Sequence, residues 1–167
     1  MSLFNNRIFS IKSACIIFAA LGIIDYAIRT QITYSGIIDT RVGWKNIQGT
    51  QERENVELMK LFGIVFVIQH LNYGLNILGS IFSSSLLYGV ISEKQHLLSP
   101  SLYFLPLDVI LRTVLIIIML LLEIPDINPI TVTVTHLITI LILNITWFLT
   151  ILYKQQIQRQ AEKEKNM

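Results

Sequence analysis

Charge is what this chain has least of. Of its 167 residues only 14% are charged, against 53% hydrophobic, and the mean hydropathy is +0.60. A soluble domain of this length cannot bury that much apolar surface, so the composition excludes the ordinary soluble classes and points to a membrane protein. Cysteine is nearly absent as well. Cys15 stands alone, so no intramolecular disulfide forms, and folds that staple an outer loop with disulfides are excluded. Catalytic signatures are also missing: there is no nucleophile elbow, zinc-binding helix motif, phosphate-cradling glycine loop or paired His-acid box. We therefore expect no enzyme, no cofactor, no metal and no nucleic-acid partner. The one N-glycosylation triplet, Asn144-Ile145-Thr146, lies inside an apolar run and is expected to stay unmodified.

What is abundant is long apolar sequence. About 20 residues cross the hydrocarbon as a helix, and four stretches approach or exceed that length: 8–28, 61–91, 102–122 and 130–153. The opening has leader-like features, with Arg7 and Lys12 before an apolar run, but the run continues to Ile28 and reads as a retained anchor. The expected fold is an all-α integral membrane protein, a single four-transmembrane-helix bundle. Basic residues set its orientation. Arg7, Lys12, Lys94, Lys154, Arg159, Lys163 and Lys165 fall on one side, against Arg29, Arg41, Lys45, Arg53 and Lys60 on the other. Both the N and C termini are then cytoplasmic. The connection over 123–129, acidic and without a base, fits the outer side.

The segment 30–60 is the one connection long enough to hold structure of its own. Gly36, Gly43 and Gly49 among short β-prone runs suit a turn or short hairpin on the outer face, with Trp44 at headgroup level. Glu52, Glu54 and Glu57 suit a helix start that runs into the second span. The polar tail, 154–167, extends the fourth span.

Polar residues inside the spans are the candidate functional set. In span two Gln69, Asn72, Asn76, Ser80 and Ser83 recur at helical spacing beside His70, Tyr73 and Gly79, so one face is polar and must look into the bundle. Span four offers Thr135, Thr139, Thr146 and Thr150, with Asn144 close by. In span three Asp108 and Arg112 stand one helical turn apart, acid first, the order that favours pairing. Pro106 suits a helix start, which would put Asp108 near the cytoplasmic headgroups with Arg112 snorkelling toward them. Asp25, four residues before Arg29, is expected near the outer interface. If Asp25, His70, Asp108 and Arg112 converged, they would form a proton-linked relay suited to a small transporter or channel subunit. Otherwise the polar faces act as helix-to-helix glue.

Between spans two and three, "EKQHLL" has the acidic dileucine form, with Glu93, Leu97 and Leu98. Sorting adaptors read such a segment by filling an apolar slot with the leucines and pairing the acid with a basic patch. The competing expectation is a hinge, in which Glu93 and Lys94 mark the membrane edge.

The run Lys12-Ser13-Ala14-Cys15-Ile16-Ile17 resembles the beginning of small four-span arthropod proteins that carry a domain of unknown function. It is more distantly similar to the lysosome-associated four-transmembrane proteins. The resemblance implies a small multi-pass accessory, scaffold or trafficking protein of endosomal, lysosomal or plasma membrane. Its partners would be membrane lipids, another membrane protein and sorting adaptors. The tail has no proline-tyrosine motif, so recruitment of a ubiquitin ligase through one is not implied.

Overall fold

The computed structural model describes residues 2–48, 55–121 and 129–165. They form four helices: α1 (Ser2–Gln48), α2 (Asn55–Ile91), α3 (Gln95–Leu121) and α4 (Pro129–Lys165). All four are long and apolar enough to cross a membrane. Each packs against its neighbour in chain order and α4 closes against α1, so the helices stand in a ring. Among the described residues no backbone approach joins α1 to α3 or α2 to α4. That arrangement is a four-helix bundle.

The segment 30–48 corrects the expected turn or hairpin, because it is the second half of α1. Its glycines are packing positions. Gly22, Gly36 and Gly43 are multiples of seven residues apart, hence on one helix face, and that face meets α2. A Cβ on Gly22 would stand 3.1 Å from Ser83 Oγ, on Gly36 3.1 Å from Gln69 Nε2, and on Gly43 3.0 Å from Phe62 Cε1. Partner numbers fall as α1 rises, the signature of an antiparallel seam built on small residues. The segment's hydroxyls do not break the helix either, since Thr30, Ser35 and Thr40 donate to the carbonyls four residues back. Trp44 lies within α1, with its ring beside Gly63. The linker residues 49–54 and the acidic connection 123–128 lie outside the described residues.

α3 starts earlier than expected, at Gln95, and contains both Pro100 and Pro106. Pro106 is thus an interior residue and not a helix start. Its missing N–H leaves the Leu102 carbonyl without the usual donor. Trp147 Nε1 of α4 supplies one, at 3.1 Å. Toward α2, Ser101 Oγ donates to the Phe82 carbonyl at 2.9 Å, and the Phe82 and Phe104 rings stack at 4.3 Å.

α2 ends in a tight turn. Glu93 takes φ 58°, and the Lys94 N–H reaches back to the Gly89 carbonyl at 3.1 Å. That is the geometry of a Schellman cap with glutamate where glycine is usual. Around it a cluster of Cys15, Ala19, Leu86, Val90, Leu98 and Tyr153 joins all four helices.

The distribution of polarity is inverted relative to a soluble bundle. Outward-facing positions are apolar, including Ile24, Leu71, Ile81, Ile110 and Leu141, while Asn76, Ser83, Ser101, Asp108, Arg112 and Thr150 are buried. Every one of the four helices contributes to that apolar exterior.

Candidate functional site

Helical geometry alone brings Asp108 and Arg112 together, four residues apart on α3. Arg112 Nε lies 3.0 Å from both carboxylate oxygens of Asp108. Both side chains are fully buried. Asp108 stands thirteen residues from either end of α3, about 20 Å at the helical rise. The expected place of Asp108 just inside a helix start at Pro106 is therefore corrected. The pair sits at the midpoint of the helix, because α3 runs through its two prolines.

Two further helices supply partners for this pair. Tyr26 Oη of α1 donates to Asp108 Oδ2 at 2.5 Å. From α2, the Asn76 side-chain oxygen accepts from Arg112 Nη2 at 2.7 Å, and the Asn72 oxygen from Nη1 at 3.4 Å. Asn76 Nδ2 then donates to Thr33 Oγ1 of α1 at 3.3 Å. The chain of bonds leaves α1 at Tyr26, crosses α3 and α2, and returns to α1 at Thr33. The Arg112 guanidinium also lies 5.3 Å from the centroid of the Tyr26 ring. Gly79 makes room for that ring, since a Cβ there would fall 2.1 Å from Tyr26 Cε1.

A second acid-first pair lies beside the first. Asp25 Oδ2 accepts from Arg29 Nε at 2.9 Å, half-buried, and an Arg29 Nη2 hydrogen bond reaches Thr139 of α4. Asp25 was expected near an interface. Its neighbour Tyr26 bonds to the middle of α3, so it stands at mid-bundle height. Two Asp-Arg pairs on diagonal helices thus make one layer linked to all four helices.

The other sequence-identified residues lie apart from it. Gln69 Oε1 shares the single Thr40 O–H with the Gly36 carbonyl, at 2.9 and 2.8 Å, nearer the α1–α2 end. His70 faces outward, its Nδ1 2.8 Å from the Phe66 carbonyl. It joins neither pair, so the four-residue relay does not assemble. No group of three metal-binding side chains occurs among the described residues. Sequence reasoning did not single out Tyr26, Thr33 or Gly79 as linked to the charges. No spacing rule connects residues on different helices.

At the α2–α3 turn, Glu93 pairs with Lys12 at 2.5 Å. Leu98 is fully buried in the cluster around Cys15, and Leu97 packs on Gly89. In this conformation the leucine pair is a packing element inside a helix, not an extended peptide presented to an adaptor. A cleft of about 260 Å³ opens elsewhere, between α1 and α2, lined by Thr40, Arg41, Trp44, Gly63 and Phe66.

Fold and site together define an all-helical protein with four potential membrane spans around a buried, paired charge layer. Comparison with family models, with curated proteins and with solved structures gave no match, so its function rests on its own geometry.

Proposed function

We propose that the chain is a non-enzymatic multi-pass membrane protein with both termini cytoplasmic, acting as a small accessory or scaffold component of endolysosomal or plasma membrane. The compartment follows the likeness of its Lys12–Ile17 run to lysosome-associated four-span proteins. The observation that carries the reading is the mutual pairing of the charge layer. Each charge has its counter-charge four residues away, and every guanidinium nitrogen of Arg112 has an acceptor, Asp108 for Nε, Asn72 for Nη1 and Asn76 for Nη2. Among the described residues the one buried side-chain polar atom without a partner is Gln156 Oε1, on the tail of α4. A relay needs groups that exchange partners along a path. A closed set of bonds fastens helices together and leaves the exterior to meet lipids and a partner protein.

The test is proton flux into vesicles carrying the purified chain and an internal pH dye. Under this reading, flux matches protein-free vesicles for gradients of either sign, and Asp108→Asn leaves it unchanged. Flux through the unmodified protein that Asp108→Asn abolishes would replace the scaffold with a transporter.

A further inference from the structure

One face of α4 has no role inside the bundle. Val134, Leu137, Leu141, Asn144 and Phe148 alternate by three and four residues, and all are exposed. That is the a/d spacing of a helix-packing seam. The buried positions of the same helix, Thr139, Thr146 and Thr150, lie on the other side.

Asn144 is the polar exception in this stripe. Its neighbour Leu143 packs with Tyr26, Phe104 and Leu105, which puts Asn144 at the height of the charge layer but facing out. The outward hydroxyls there are self-contained, since Ser84 and Thr113 each donate a single O–H to the carbonyl four residues back, and outward His70 turns its Nδ1 to the Phe66 carbonyl. Asn144 does the same with one N–H, to the Ile140 carbonyl at 2.8 Å. A carboxamide has more capacity than a hydroxyl, and its second N–H and its Oδ1 have no partner among the described residues. In hydrocarbon there is no water to supply one, so a neighbouring helix must.

We propose that this face of α4 is a homodimer seam, in which Asn144 pairs with Asn144 of a second copy. The inference rests on the membrane reading above, which gives both copies one orientation and their α4 helices a parallel approach. A carboxamide both donates and accepts, so an identical one across a twofold axis satisfies both halves. The uncharged stripe around it is likewise self-complementary. A single asparagine in an apolar heptad seam fixes register and partner number.

The experiment is energy transfer between donor- and acceptor-labelled copies in vesicles, measured over a range of protein-to-lipid ratios. The unmodified chain and Asn144→Gln should associate. Asn144→Leu, which keeps the stripe apolar and deletes the amide, should associate about tenfold more weakly, equivalent to about 1.4 kcal/mol. Its unchanged melting temperature would show that the fold persists. Association of Asn144→Leu equal to that of the unmodified chain overturns the seam, and so does an unmodified chain that stays monomeric while floating with the vesicles. A chain that does not float with them overturns the membrane reading, and the seam with it.

Discussion

Asp108 and Arg112 are each costly alone and tolerable together. Breaking a buried ion pair by removing one partner typically costs about 3–5 kcal/mol, whereas replacing both with apolar side chains of similar size is often neutral. Arg112→Met should therefore lower the melting temperature in detergent sharply, and the double change Asp108→Leu, Arg112→Met should recover most of the loss. If the double variant is as unstable as the single, the pair does more than neutralise itself. Tyr26 gives a second test. Tyr26→Phe removes one hydrogen bond to a charged group, worth about 1.5–3 kcal/mol. Gly79→Ala puts a methyl into the Tyr26 ring and should cost at least as much. Both disrupt the Tyr26–Asp108 link, so their combined loss in thermal denaturation should fall short of the sum.

Among the elements, α3 is the one whose backbone is incomplete. Pro106 withholds a donor from the Leu102 carbonyl, and Trp147 of α4 replaces it from the side. Trp147→Phe should orphan that carbonyl and cost about 1–3 kcal/mol. In a Pro106→Ala background α3 has its own N–H, and the same Trp147→Phe change should then cost less. A double-mutant cycle by thermal unfolding measures the difference, and equal costs in the two backgrounds would show that the indole bond is incidental. Element scale is also where the sequence misled. Gly36 and Gly43 among short β-prone runs have the composition of a turn, and a Pro six residues before Arg112 has the look of a helix start. Each is instead used inside a helix, because a neighbouring helix fits close against the glycine or satisfies the freed carbonyl.

The whole molecule has apolar sides and two polar ends. Lys12 and Glu93 mark one end, while Lys45 and Lys60 lie near the other, on the ends of α1 and α2. In a Cys15→Ala background, single cysteines at Glu93 and Lys60 should react with a membrane-impermeant maleimide from opposite sides of sealed vesicles. One at outward-facing Ile110 should react from neither side until detergent is added. Labelling of Glu93 and Lys60 from the same side would rule out a bundle that crosses the bilayer in this way.

By itself the sequence determined the number of long apolar helices, because hydrophobic length is a local property that no neighbour alters. It also determined the pairing of Asp25 with Arg29 and of Asp108 with Arg112, because four residues is one helical turn wherever the helix lies. Tertiary structure decided the rest. The height of those pairs depends on where α1 and α3 begin and end, and both helices extend beyond their apolar runs once packed. The bonds from Tyr26, Asn72, Asn76 and Thr139 to the charges, and the outward turn of Asn144, depend on how one helix is rotated against another. That rotation is set by which small residues admit a neighbour's bulk, a property of two surfaces in contact that neither sequence segment carries alone.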